Sequence, residues 1–452
     1  MIFRAFLTVG VLVLLVAVPP GSAAQDAAPT KTERLSVWIA EKVAESQRRT
    51  FRAPIFSDDD AARATQQIEQ ELAELRAGFP PASLDVEGLV MFRRYERMAE
   101  IGLGDIKWRV QFEQHFRQAA QDTATPATVR LPADYYHHLI ASVTTTNLTS
   151  QEVRTIGERE LARIHGEVRS VMQALGRTES LERFFEFLRT DDRFFYPDTD
   201  DGREAYLAET RRVLAEIRSR LDEVIVDPPD VPLEVVRNSS GQEAEALPMY
   251  MAGKAYLVPL ADMRASPKYL LQTIAYHEGA PGHHLQFTVH QARRPDARRS
   301  SFLTDQSANP AYAEGWGFYA ERLAYELGLY TDPYANAGRL GMEAWRAARL
   351  VVDVGLNVDG WSEAQGIAFL LANTPLPEAL ARIEVRRFRN SPGHATAYMI
   401  GKLAIERQRA RATAALGARF DLRAFHDQVL RYGPMPLTAL EEVIDRWMAS
   451  SR

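Results

Sequence analysis

The chain has 452 residues, 46% of them hydrophobic and 25% charged, with no cysteine and a formal net charge of −6. These are the proportions of an ordinary globular protein, which excludes a disordered, collagen-like or disulfide-stapled chain. The acidic balance argues against nucleic-acid binding, and without thiolates any metal must be held by His, Asp or Glu.

At the start, Arg4 precedes a 14-residue apolar run, Ala5 to Val18, closed by Pro19 and Pro20 and followed by Gly21-Ser22-Ala23-Ala24. A basic start, a short apolar stretch and small residues behind it make the pattern of a secretory signal peptide. The run is too short for a comfortable transmembrane helix, although an uncleaved anchor is the alternative. Residues 1–24 are thus expected to be a signal and the protein to be exported, periplasmic or secreted, without stable membrane insertion. No cysteine follows, so no lipoprotein anchor is expected. Residues 25–452 are expected to form a single helical domain, with an N-terminal helical part over about 30–140 and a catalytic part over about 141–452.

After residue 30 the pattern is mostly helical. Thr149 and Glu152 have capping-box spacing; Val153, Ile156, Leu161, Ile164, Val168, Val171 and Leu175 mark one face, and Gly176 is a stop. Arg203 to Ile225 is a second amphipathic segment. Between Val226 and Asp262 fall Pro228, Pro229, Pro232 and Pro248, with short runs at Leu233 to Val236 and Ala255 to Leu260 that read as strands. A helix then starts near Pro267 or Lys268. Further helices are expected over Ala311–Leu327, Gly341–Asn357, Ser362–Leu371, Leu376–Arg389, His394–Leu416, Leu422–Tyr432 and Thr438–Met448. Ser362 with Gln365 and Thr438 with Glu441 have capping-box spacing. There is no alternating β–α pattern and no glycine-rich phosphate loop. The expected fold is mainly α, a large multi-helix domain with a cleft and a small β element near 233–260.

Three of the ten histidines fall in the segment AYHEGAPGHHLQ, residues 275–286. Zinc-hydrolase helices place two His at i and i+4, with a Glu after the first as general base. Here Pro281 interrupts that spacing, and His283 and His284 come six and seven residues after His277. On a straight helix six residues rise about 9 Å, too far for two ligands with bonds of about 2.0–2.1 Å. Pro281 cannot donate to the carbonyl of His277, and Gly279 and Gly282 ease a bulge or a broken turn, which would bring His283, or alternatively His284, beside His277. A surface histidine turn without metal is the bland alternative. Glu314, in NPAYAEGWGFYAE, is a candidate third ligand because it lies among aromatic and small residues. A solvent-facing glutamate is the other reading. Glu321 shares its helix face and suits pairing with Arg322 or Arg346, or orientation of a ligand histidine. Arg382, Arg386, Arg387 and Arg389 crowd one helix; a solvated charged face is expected, a substrate-carboxylate site being the alternative.

The segments HEGAPGHHLQ, YAEGWGFYAERLAYELGLY, WRAARLVVDVGLNVDGWS and SPGHATAYMIGKL, in this order, resemble a large bacterial family catalogued as the domain of unknown function 885. That family is similar in turn to gluzincin metallopeptidases of the thimet oligopeptidase and carboxypeptidase Taq kind. The resemblance covers about residues 135–450. It implies one zinc ion bound by His277, His283 or His284, and Glu314, with Glu278 as general base. Tyr398 would donate to the tetrahedral oxyanion, unless it is a core tyrosine, and Arg349 and Asp353 would be an ion pair or a support of the site. Where the family usually has DTGIH this chain has Asp353-Val354-Gly355-Leu356-Asn357, so Asn357 replaces the usual histidine, and where the family has PGQA this chain carries His394, a candidate proton donor or oxyanion stabiliser four residues before Tyr398. The implied protein is an exported zinc metallopeptidase acting on a peptide or small amide. A non-peptide amide or ester hydrolase, or a non-catalytic metal-binding envelope protein, are the alternatives.

Overall fold

A computed structural model describes residues 28–50, 58–119, 130–240, 243, 246–293 and 308–451, so the expected signal at 1–24 lies outside the described residues. The chain divides into two compact units. One holds Met1–Thr123, Arg294–Ala308 and Tyr432–Met435, and the other holds Ala124–Arg293, Asn309–Arg431 and Pro436–Arg452.

The first unit contains α1 (Lys31–Thr50), α2 (Asp58–Gly78) and α3 (Val86–Ala119). Asp58, Asp59 and Asp60 in the first turn of α2 and Arg76 in its last complement the helix dipole. Leu35, Ile39, Leu72, Leu75, Met91, Phe92, Tyr95 and Ala99 recur at helical spacing and bury one apolar face of each helix against the others.

The second unit begins with α4 (Ala133–Thr144), α5 (Ser150–Ala174), α6 (Leu181–Thr190) and α7 (Asp200–Arg218). The capping box at Thr149 forms as its spacing predicts, and Gly176 past the end of α5 takes φ +69°. The region rich in prolines folds into a small sheet of β1 (Glu234–Arg237), β2 (Met249–Met251) and β3 (Ala255–Val258), in the order β1-β3-β2. β1 runs parallel to β3, pairing Val235 with Tyr256, and β2 runs antiparallel to it, pairing Tyr250 with Tyr256. Only three residues long, β2 has no sequence signature of its own and was not expected.

Next come α8 (Lys268–Glu278), α9 (His283–Arg293), α10 (Pro310–Glu326), α11 (Pro333–Asn357), α12 (Glu363–Asn373), α13 (Glu378–Asn390), α14 (Ala397–Leu416), α15 (Leu422–Leu430) and α16 (Leu437–Ser450). The expected class, mainly α with a small β element, is the one observed. Some boundaries differ for identifiable reasons. α11 begins well before Gly341, because Asp332 accepts from the backbone N–H of Tyr334 and Pro333 suits the first turn. The Ser362–Gln365 box forms, but Thr438 is no cap: α16 starts one residue earlier, after Pro436. His394–Thr396 is a separate 3-10 turn ahead of α14, so His394 and Tyr398 do not share one regular helix.

The centre of this unit is α11, where every residue from Ala337 to Asn357 is buried. It packs on α5, α8, α12, α13 and α14. One stripe of this buried helix is polar: Arg339, Glu343, Arg346, Arg349, Asp353 and Asn357, at steps of three and four. Buried charges need partners, and each member finds one. Arg339 lies 3.1 Å from Glu343, which also meets Lys402 at 3.0 Å, and Arg346 meets Glu321 at 3.3 Å. The expected Arg349–Asp353 ion pair does not form. Arg349 turns to Glu384 on α13, at 2.7 Å, while Asp353 accepts from the Tyr136 hydroxyl (3.1 Å), Asn357 Nδ2 (2.7 Å) and the Gly393 N–H (3.1 Å). Among the described residues no helix is long and apolar enough to cross a membrane.

Candidate metal centre

α8 ends at Glu278 because the next turn cannot continue. Pro281 lacks an N–H, and Gly279 leaves the helical region at φ −96°, ψ −116°. The chain folds back so that the Gly282 N–H donates to the carbonyl of Tyr276 at 3.0 Å, and α9 starts at His283. A Cβ at position 282 would lie 1.9 Å from the carbonyl oxygen of His277, so only glycine passes this close. The broken turn does what a straight helix cannot: the rings of His277 and His283 stand edge to face with centroids 4.8 Å apart.

α10 packs against both α8 and α9. Trp316 Nε1 donates to the carbonyl of Pro281 at 2.9 Å, tying α10 to the turn, and Glu314 Oε2 comes within 3.4 Å of His277 Nε2 and 3.5 Å of His283 Nε2. One donor atom from each of the three residues lies within 4.8 Å of the other two. A tetrahedral ion with bonds of about 2.0–2.1 Å has donor–donor edges of about 3.3–3.4 Å, so both histidine–glutamate edges suit such an ion. The ring orientations suit it too. His277 Nδ1–H donates to Glu321 Oε1 at 2.9 Å and His283 Nδ1–H to Gln286 Oε1 at 3.2 Å, which leaves both Nε2 lone pairs turned to Glu314. Glu321 is fixed in turn by Thr273 Oγ1 at 2.6 Å and by Arg346. The three residues thus form a group that could hold a metal ion.

The electrostatics agree with this. Burial disfavours a charged His277 ring, but Glu314, Glu321 and Glu278 outweigh it and raise its pKa to about 9. Burial likewise opposes the charge of Glu314, yet its contacts with His277 and His283 hold it well below the ordinary carboxylate range. Without metal, a proton supplies the positive charge these carboxylates require. Glu278, 9% exposed, is pushed upward chiefly by its burial, and its Oε2 accepts from the Tyr250 N–H on β2 at 2.7 Å.

His284 is not part of this group. Its Nε2–H donates to the carbonyl of Val231 at 2.9 Å, and its Nδ1 accepts from the Tyr250 hydroxyl at 3.3 Å. As the second residue of α9 it leaves the helix in a different direction from His283. Tyr398 is buried with its ring stacked on His277 at 6.2 Å, and Arg387 Nη2 donates to its hydroxyl at 3.4 Å. His394 Nδ1 lies 3.5 Å from the same Arg387 nitrogen. Asn357, in place of the usual histidine, is a structural residue that donates to Asp353 and to the carbonyl of Phe388.

Sequence reasoning overlooked Gln286, Gly317 and the carboxylate anchor at Tyr250. Gln286 sits three residues after His283 on one helix face, the spacing of a supporting side chain. Gly317 sits three residues after Glu314, and a Cβ there would meet His277 Nε2 and His283 Cε1 at 3.0 Å. The Tyr250 contact needs β2, which the sequence did not reveal.

A sequence profile described as a bacterial protein of unknown function, DUF885, matches residues 107–444. The chain belongs to that family. Among solved structures it is similar to "the putative lipoprotein from Colwellia psychrerythraea", with 29% identity and TM-score 0.67 over 85% of this chain and 70% of that one. It also shares its fold with "a putative lipoprotein of unknown function from Shewanella oneidensis", with 20% identity and TM-score 0.59 over 91% and 77% of the two chains. No curated protein matches the chain.

Proposed function

We propose that this member of the DUF885 family is an exported, zinc-dependent hydrolase that cleaves peptide bonds, related to the gluzincin metallopeptidases. The observation that carries the proposal is the convergence of His277, His283 and Glu314 next to a buried Glu278. A purely structural site has no use for an acid–base group beside its ligand.

His277 Nε2, His283 Nε2 and a carboxylate oxygen of Glu314 would hold the ion. Its chemistry there is Lewis acidity, which brings the pKa of water towards about 7 and polarises a carbonyl. The Glu278 carboxylate takes the proton of the attacking water and passes it to the leaving amine nitrogen. Burial raises its proton affinity, the direction that strengthens a carboxylate as a base. The Tyr398 hydroxyl accepts from Arg387, which leaves its own O–H to donate to the developing oxyanion, with His394 as the neighbouring donor. Export is supported by the signal pattern before Gln25 and by the lipoprotein descriptions of both similar structures.

The test is a peptide-library screen of the zinc-loaded protein with and without chelator, alongside Glu278→Gln. Chelator-sensitive cleavage that Glu278→Gln abolishes while zinc is retained supports the proposal. Undiminished turnover in that variant refutes the general-base role.

A further inference from the structure

We propose that Arg387, backed by Arg349, forms a carboxylate-binding subsite beside the histidine–glutamate group, and that the substrate carries a free carboxylate held there. This rests on the hydrolase reading and narrows its substrate class.

Arg349 on α11 and Arg387 on α13 converge on one carboxylate, Glu384, at 2.7 and 3.2 Å, and Glu384 is fully buried. Two guanidinium groups against one carboxylate leave a surplus positive charge. Glu314, a second carboxylate whose charge acts on Arg387, already faces His277 and His283. A second observation concerns hydrogen bonds. Arg349 is 2% exposed, and its Nη1 has no hydrogen-bond partner among the described residues. Its guanidinium lies 4.4 Å from the centre of the Tyr398 ring. Arg387 keeps 31% of its side chain exposed, and its Nη2 makes only long contacts, 3.4 Å to Tyr398 and 3.5 Å to His394. Donors this loosely engaged, around an uncompensated charge, are costly unless a ligand completes them. A carboxylate does so best, because its two oxygens match the guanidinium fork.

Position supplies the link to the reaction. Tyr398 bridges the two groups, with its ring stacked on His277 and its hydroxyl on Arg387. The other arginines of α13 do not compete. Arg382 is exposed and paired with Glu378, and Arg389 is committed to the carbonyls of Leu356 and Trp361. The expected solvated face therefore holds for Arg382 but not for Arg387. The carboxylate can come from a peptide C-terminus or from an acidic side chain, and the experiment separates the two.

Binding of acetyl-Ala-Ala-Ala with a free C-terminus, of its C-terminal amide, and of acetyl-Ala-Glu-Ala amide is measured by calorimetry on zinc-loaded Glu278→Gln protein. The same measurement is made with Arg387→Gln or Arg387→Lys added, and folding is checked by circular dichroism. The expected result is at least tenfold tighter binding of one carboxylate-bearing peptide over the neutral amide, lost in Arg387→Gln and partly restored in Arg387→Lys. Preference for the free acid assigns a C-terminal carboxylate, and preference for the glutamyl amide assigns a side chain. Equal binding of all three peptides, or a preference that survives Arg387→Gln, overturns the subsite. Turnover by the wild-type protein is scored separately. Failure to cleave any peptide while the binding preference persists counts against the hydrolase reading and not against the subsite. With wild-type turnover, Arg387→Gln should raise KM for the favoured peptide about tenfold with a smaller change in kcat, a split that a merely structural arginine would not give.

Discussion

Nδ1 of His277 donates to Oε1 of Glu321 at 2.9 Å, and the carboxylate is fixed from behind by Thr273 and Arg346. The bond sets which ring nitrogen faces Glu314, so Glu321 would act on the proposed ion without touching it. Loss of such an outer partner typically costs 10–100-fold in metal affinity. Glu321→Gln should weaken zinc binding by about that factor in a competition titration against a fluorescent chelator. It should also lower the thermal midpoint, since Arg346 loses its counter-charge in a buried site. Unchanged affinity would show that His277 needs no such support.

Gly317 provides a steric test of the same site. An added Cβ would sit 2.9 Å from His277 Cε1 and 3.0 Å from His283 Cε1. Alanine favours the helix over glycine by about 1 kcal/mol, so α10 itself should tolerate the change. Gly317→Ala should keep its helical content by circular dichroism and bind zinc at least tenfold more weakly. Full affinity would mean that the rings have room to move.

Asn357 should behave in the opposite way. Its amide holds Asp353 at 2.7 Å and reaches the carbonyl of Phe388 at 3.3 Å. Removing it leaves buried acceptors short of a donor, a loss of about 2 kcal/mol. Urea unfolding of Asn357→Ala should show that loss with zinc content unchanged. A variant of full stability but without metal would place Asn357 in the site instead.

His426 sets an acid limit on stability. It is buried, with Nδ1–H donating to the carbonyl of Val224 at 2.8 Å and Nε2 accepting from the Tyr319 hydroxyl at 2.9 Å. Burial lowers its pKa to about 4, against about 6.5 when unfolded. Between those values the unfolded chain binds the proton and the folded chain does not, so stability falls as pH drops from about 6.5 to about 4. At about 1.4 kcal/mol per pH unit this amounts to roughly 3 kcal/mol. Urea midpoints across that range should fall less steeply for His426→Gln than for wild type; parallel curves would contradict the assignment.

Much of this site was legible in the sequence because its chemistry is local. His277, Glu278, Pro281 and His283 lie in one short segment, and a proline flanked by glycines announces the broken turn. The choice between His283 and His284 was not legible. It depends on the direction in which α9 leaves the turn, and on Val231 and Tyr250, which are distant in sequence. The polar stripe of α11 was only partly read, because its partners Glu321, Glu384, Lys402 and Tyr136 come from four other helices. Arg349 and Asp353 have the spacing of a pair, yet each finds a better neighbour across the core. The helices with strong caps, such as α5 and α12, were found nearly to the residue. The three-residue β2 was invisible, since its identity lies in its pairing with β3.

Metal stoichiometry tests the central claim most directly. Elemental analysis of zinc-equilibrated, desalted protein should give one zinc per chain for the wild type, Glu278→Gln and His284→Ala, and almost none for His277→Ala, His283→Ala or Glu314→Ala. A wild type without zinc, or zinc kept by His283→Ala and lost by His284→Ala, would contradict the assignment of His277, His283 and Glu314 as the metal site.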